Sequence, residues 1–439
     1  MSNIQRYEVP YSKSSVKFDL PPSMRGTVVM SRPVAALKDA LGAIKNALES
    51  PFGTPQLRQL ACRGKRVCIV FTDITRSSPD HLLVPALLAE LEQGGVRDED
   101  ITLLCGTGRH RPSTREEKIT KLGSAVIRRY RVIDNEAQNP AALVDLGTSD
   151  GGVPLQLHHA AVDADLLIST GIVEPHLYAG YSGGRKTLAI GAAGEALIAH
   201  THGPAFLDHP GTRLGSISGN PFQKAVTEAA RRVGLQFILN VVLDDEKRIL
   251  RVAAGDPDLA FTELVSFARS VYEVPISHQY DVAIGGVGFP KDSNLYQASR
   301  APTYLFFAPT PVVRQGGFFI IPARCEEGAG VGVGEQRFLS AMRDAPDTET
   351  ILEDARRNGY PPGQQRAFVL AKVLEHTQVV IVGSEYPDLV SDCKMIPAAT
   401  MEEALSLAEQ SLGKYLEVLI VPHAMLTLPM IRSSLSSTE

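Results

Sequence analysis

The chain has 439 residues, 44% of them hydrophobic, and a formal net charge of -5. That length carries two ordinary domains, each with its own core. The acidic balance argues against a nucleic-acid-binding surface, and no apolar run reaches the ~18 residues needed to span a bilayer.

The N-terminal MSNIQRYEVPYSK lacks the apolar segment of a secretory signal. The five cysteines, Cys62, Cys68, Cys105, Cys325 and Cys393, form no C-x-x-C pair. Both features predict a cytoplasmic protein with reduced thiols. Cys68 and Cys105 lie in apolar strand-like runs, where packing is the expected role.

In chain order, RYEVPYSKSSVKFDLP alternates like a β-hairpin with a polar turn at Ser12 to Ser15. The runs CIVFTD (68–73), ITLLCGT (101–107), DLLISTG (165–171) and LQFILNVVL (235–243) read as strands. Amphipathic segments such as DHLLVPALLAELEQGG and NPFQKAVTEAARRVG lie between them, the alternation of a parallel α/β sheet. The RRYR run at Arg128 to Arg131 reads as a solvated helix end. After about residue 275 the alternation restarts with YDVAIGGVG, VVRQGGFFIIP, TQVVIVGSE and EVLIVPHA. The pattern predicts two Rossmann-like α/β domains, 1–275 and 276–439, with a cleft between them and an N-terminal hairpin. The polar end RSSLSSTE is expected to fray.

Open α/β sheets bind ligands beyond the carboxyl ends of their strands. Polar groups collect there: Asp73 and Arg76 in DITR, His110 in GTGRHRP, EPHLYAGYSGGRKTLAIG after the third run, and GGVGFPKDSNLYQASR after residue 285. The segment Gly180 to Thr187 departs from a phosphate-binding P-loop, because Arg185 stands where the second glycine must be. His200, His202 and His209, with Asp208, suggest a zinc site. EALIAHTH reads as a helix, however, where positions i and i+2 do not face together. From the residues alone, Arg76 serves equally well in an ion pair with Asp73 or Asp80, and His110 and His176 as structural histidines.

EPHLYAGYSGGRK, with DITR and GTGRHRP upstream and GNP (Gly219 to Pro221) and NLYQ downstream, resembles the nickel-pincer-nucleotide lactate racemase family over nearly the whole chain. The resemblance implies a nicotinic-acid-derived mononucleotide with two sulfur-bearing groups and a nickel ion. Lys186 would tether it as a thioamide, Gly183 and Gly184 would let the backbone approach it, Asp73 would line its pocket and His202 would ligate nickel. It further implies racemisation of a 2-hydroxy acid by reversible hydride transfer, with His110 and His176 exchanging the hydroxyl proton. Arg76 would grip the substrate carboxylate, and Tyr296 and Gln297 would line the substrate side.

Three departures put lactate itself in doubt. Arg300 replaces a lysine of the lactate enzymes, Tyr178 stands where a small hydroxyl residue is expected, and the chain has no tryptophan. A larger or more polar 2-hydroxy acid is therefore an alternative substrate. Other proteins would have to make the cofactor. Two competing functions stand beside the racemase: a zinc hydrolase using His200, His202 and His209, and a non-catalytic binder of a nucleotide or sugar acid.

Overall fold

The chain lays down two six-stranded sheets in the computed structural model, which describes residues 6–431. The C-terminal tail expected to fray lies outside the described residues. The hairpin forms from β1 (Arg6–Tyr11) and β2 (Ser14–Asp19), with Tyr11 opposite Ser14. Its turn is thus only Ser12 and Lys13, and Ser12 takes a positive φ of 51°. A third strand, β3 (Met24–Val28), follows.

The first sheet contains β4 (Val67–Thr72), β5 (Ile101–Gly106), β6 (Arg131–Asp134), β7 (Leu166–Ile172), β8 (Leu235–Leu243) and β9 (Ile249–Gly255). Their order is β9-β8-β7-β4-β5-β6, parallel except for the antiparallel β8–β9 pair. Every residue of β4 and β7 is buried. Helices cover both faces of such a sheet, which is why these strands read as unbroken apolar runs.

The second sheet contains β10 (Tyr280–Gly285), β11 (Val313–Pro322), β12 (Gln378–Val382), β13 (Ile396–Ala398) and β14 (Leu416–Val421). Its order is β13-β12-β11-β10-β14-β3, and all its pairs are parallel. The edge strand is β3, from the start of the chain. Tyr7, Val9 and Phe18 of the hairpin share a core with Val282, Phe318 and Val418. A cut at 275/276 therefore does not separate the two sheets: residues 6–28 pack with the second. An exposed β14 edge would be open to pairing with another chain, and β3 covers it.

Each sheet has one point where the strand order reverses. In the first it falls between β4 and β7, and in the second between β10 and β14. The crevice at such a point is where ligands bind in open α/β sheets.

The crevice of the first sheet is fastened by one carboxylate. Asp80, the first residue of helix α1 (Asp80–Gln93), is fully buried. It accepts hydrogen bonds from Thr72 at the end of β4 (2.6 Å), Thr170 in β7 (2.7 Å) and Ser78 (3.0 Å). Lys121 pairs with it at 2.9 Å and also donates to the carbonyls of Arg76 and Ser78. Removing one member of a buried pair strands the other charge. Asp80→Ala is expected to destabilise the fold by about 3–5 kcal/mol, read from urea unfolding. A change under ~1 kcal/mol would mean the node is dispensable.

Candidate active site

The loop after β7 carries the opening histidine and lysine of the motif. Pro175–His176 pairs with Gly180–Tyr181, with His176 opposite Gly180. A side chain at Gly180 would meet the Ser216 carbonyl 2.0 Å from its Cβ, at φ 71°, so only glycine closes this turn. At Gly184 a Cβ would sit 2.7 Å from the Asn240 amide nitrogen. Arg185 turns to an ion pair with Asp258 and lies 4.3 Å over the Phe261 ring. The residue that breaks the phosphate-loop pattern is thus a structural anchor.

Lys186 ends a short helical turn, Gly184–Lys186, and a π-helical turn, Thr187–Gly191, follows directly. Such turns are rare and concentrate at functional sites. Its ammonium makes no hydrogen bond or ion pair among the described residues. Burial, helped by the nearby charge of Arg76, lowers its pKa to about 7. A neutral amine, the nucleophilic form of lysine, is therefore well populated at physiological pH.

His202 caps the end of helix α2 (Glu195–Thr201). Its Nδ1 lies 2.9 Å from the Ile198 carbonyl oxygen, which can only accept, so Nδ1 carries the proton and Nε2 is left with a free lone pair. Burial and then the charge of Lys186 lower its pKa to about 4. A neutral imidazole held this way is the form that ligates a metal. The Tyr360 hydroxyl donates to its carbonyl at 2.7 Å.

The two remaining histidines are held differently. His110 Nδ1 lies 2.6 Å from Asp73 Oδ2, with its side chain 50% exposed. Burial alone would raise the Asp73 pKa, but the bond from His110 outweighs it and the net shift is downward. The carboxylate accepts a hydrogen bond from Nδ1–H and leaves His110 Nε2 as an acceptor. His176 Nδ1 instead accepts from the backbone of Tyr178 (3.2 Å) and Ala179 (3.3 Å). Its neutral ring therefore carries its proton on Nε2. Burial first, then Lys186, holds its pKa well below the usual histidine value. Phe222 packs against three of these rings, 5.2 Å from His202, 6.0 Å from Tyr178 and 6.3 Å from His176.

The alternative for Arg76, an ion pair with Asp73 or Asp80, does not form among the described residues. His110 takes Asp73 and Lys121 takes Asp80, and the Arg76 side chain is exposed. Its charge still reaches Lys186, His176 and His202. Across the cleft, Asn294 caps the turn Leu295–Ala298 by accepting from Gln297 N at 3.0 Å. Tyr296, Gln297 and Arg300 follow from the loop after β10, and Arg300 donates to Gln297 Oε1 at 3.2 Å. Burial raises the Tyr178 hydroxyl to about 12, and the charges of Arg366 and Arg300 act on it. Tyr178 of the first sheet thus faces residues of the second.

The zinc cluster does not assemble. His200 and His209 are exposed, and Asp208 pairs with Arg356 (2.9 Å) and Lys372 (2.6 Å). Among the described residues no group of three or more His, Cys, Asp or Glu could hold a metal ion. Sequence reasoning missed Phe222, Tyr360, Arg366 and Lys291, whose pKa is lowered by burial first and then by the charge of Arg300. Arg366 has a sequence signal, a lone cation in the otherwise apolar RAFVLA.

Two sheets, each with a strand-reversal point, and a buried lysine beside histidines of opposed tautomers mark a two-domain α/β protein. Residues 11–215 match the Lactate racemase N-terminal domain and residues 277–427 the Lactate racemase C-terminal domain. A lactate racemase of Thermoanaerobacterium thermosaccharolyticum is 31% identical over 426 residues, covering 96% of this chain and 98% of that protein. One from Lactiplantibacillus plantarum is 34% identical over 385 residues, covering 86% and 88%. The structure of the T. thermosaccharolyticum lactate racemase apoprotein superposes with a TM-score of 0.87 at 29% identity, covering 97% of this chain and all (100%) of that one. A Thermotoga maritima protein at 18% identity and TM-score 0.65, covering 90% and 98%, shares the fold alone. The chain belongs to the lactate racemase family, a family of isomerases. No described helix is long and apolar enough to cross a membrane.

The depressed Lys186 pKa has a consequence for stability. Between pH 7 and 10.5 the unfolded chain binds the proton that the folded chain lacks, so this lysine makes stability rise with pH across that window. Below about pH 7 its full penalty is present. In cofactor-free protein, Lys186→Met is expected to be more stable than wild type at pH 6, with the gap narrowing by pH 10 in paired urea melts. A gap that is equal at both pH values would show that Lys186 is ordinarily solvated.

Proposed function

We propose that the chain racemises or epimerises a 2-hydroxy acid, using a nickel-pincer nucleotide tethered through Lys186. The observation that carries this reading is the pairing of a neutral, partnerless Lys186 amine with a His202 whose Nε2 is free, both at the strand-reversal crevice. Two residues fit the group: Lys186 would anchor it and His202 Nε2 would ligate its nickel, whereas the space beside Gly183 and Gly184 is taken by Phe261 and Asn240. When bound, the group supplies an acceptor for the hydride on the substrate's Cα.

The protein's own part is to hold the substrate and move its hydroxyl proton. Arg76 presents an uncommitted guanidinium to the substrate carboxylate, in a planar fork suited to bidentate binding. His110 Nε2 takes the hydroxyl proton, and the resulting imidazolium is stabilised by Asp73 at Nδ1. His176 offers a neutral Nε2–H hydrogen bond to the carbonyl oxygen on the opposite face, and the His110 imidazolium returns the hydroxyl proton when the hydride comes back to the carbon. Its two backbone donors fix the ring and the tautomer. Tyr296 and Gln297 line the facing wall. The relatives' name, lactate racemase, makes lactate the reference substrate. Tyr178 and Arg300 support a more polar one.

Two measurements test the reading. In protein made alongside the cofactor-producing proteins, intact mass should show an adduct on the Lys186 peptide with nickel near one per chain. Lys186→Ala should lose both. Unmodified protein with stoichiometric zinc would overturn the assignment. On the loaded enzyme, His110→Gln is expected to lower kcat about 100-fold or more while nickel content is retained. Full activity in that variant would remove His110 from the chemistry.

A further inference from the structure

Resting on the racemase reading, the structure points further to a substrate class. We infer that the cleft holds a second anion subsite, built by Arg300, Arg366, Tyr178, Tyr296 and Tyr304, which takes the distal carboxylate of a 2-hydroxy dicarboxylic acid.

The charges in this corner are unbalanced. Arg366 is only 8% exposed. Its Nη1 donates to the Thr303 hydroxyl at 3.2 Å, and Arg300 Nη1 donates to Gln297 Oε1 at 3.2 Å. Both partners are neutral. The Nε atoms of both arginines are buried with no hydrogen-bond partner, and neither guanidinium forms an ion pair among the described residues. Two other buried cations are matched, Lys121 by Asp80 and Arg185 by Asp258, whereas Lys186 and Lys291 form no ion pair among the described residues and burial lowers the pKa of each. A buried cation without a counter-charge is unfavourable. A structure that keeps two together is one whose anion arrives from outside.

The surroundings specify what that anion is. The Arg366 guanidinium lies 5.6 Å from the centre of the Tyr296 ring, and that of Arg300 lies 5.9 Å from the Tyr304 ring. The planar fork of an arginine offers paired donors suited to a carboxylate. The Tyr178 hydroxyl comes under the charge of both arginines and adds a neutral donor. The nearby carboxylates do not fill the role: Asp73 is bonded to His110, and Glu174 bonds neither arginine. A monocarboxylic substrate would bring one carboxylate, for which Arg76 on the opposite wall is uncommitted. A polyhydroxy acid would satisfy donors while leaving both charges uncompensated. A second carboxylate compensates them.

The test is calorimetric binding of L-malate and L-lactate to the protein as purified from cofactor-making cells, with wild type, Arg366→Gln and Arg366→Lys compared. Malate is expected to bind wild type at least tenfold more tightly than lactate. Arg366→Gln should collapse that ratio towards one, and Arg366→Lys should restore part of it. A wild-type ratio near one overturns the subsite, without recourse to any variant. A ratio that survives Arg366→Gln also overturns it, and lower nickel retention in that variant would then assign the arginine to the cofactor's phosphate. Following the optical rotation of bound malate separates the two readings. Preferential binding without interconversion would sink the racemase and leave the dicarboxylate subsite standing.

Discussion

The buried carboxylate of Asp80 is the constraint on which the site depends. It joins the ends of β4 and β7, the two strands that flank the reversal point, and it does so from the first residue of a helix. Through Lys121 it also reaches the carbonyls of the loop that follows β4. Asp73 and Arg76 therefore stand on a loop whose backbone is fixed from beneath. The placement of these side chains is a property of this node before it is a property of the loops.

From that base the site is organised by the opposition of burial and charge. Lys186, His176 and His202 are pushed towards their neutral forms by desolvation and by one another. The more exposed His110 is instead tied to a carboxylate. The tautomers follow from these partners: a carboxylate and a carbonyl oxygen each claim a proton on Nδ1, whereas backbone N–H groups require a bare Nδ1. Three imidazoles in one cleft thus present two bare Nε2 atoms and one protonated Nε2, with no difference in residue type.

What was legible in the sequence was mostly local. The buried parallel strands β4, β7 and β8 appear as apolar runs because both faces are covered, and the α/β class follows from their alternation with helices. The motif around Lys186 was readable because its glycines are required by contacts within a short span. The pairs that decide chemistry were not readable. Asp73 and His110 are 37 residues apart, and Tyr178 comes under the charge of Arg366 only because the second half of the chain folds back towards it. The membership of β3 in the second sheet was hidden for the same reason, since its partner strand begins nearly four hundred residues later, at Leu416. Phe222 lies in the amphipathic segment NPFQKAVTEAARRVG, and only the rings gathered around it in the fold show what it supports.

That distant pairing of β3 has a mechanical meaning. The backbone passes between the two sheets twice, once after Val28 and again through the segment Glu273–Ile276, which itself pairs with Leu428–Ile431 near the end of the described chain. A body joined by one linker can swing and twist freely. A body joined by two strands of chain keeps essentially one soft degree of freedom, a rotation about the line through both crossings. Any relative motion of the two sheets would thereby be confined to a single arc, like a door on two hinge pins, with side chains on either side returning to the same register.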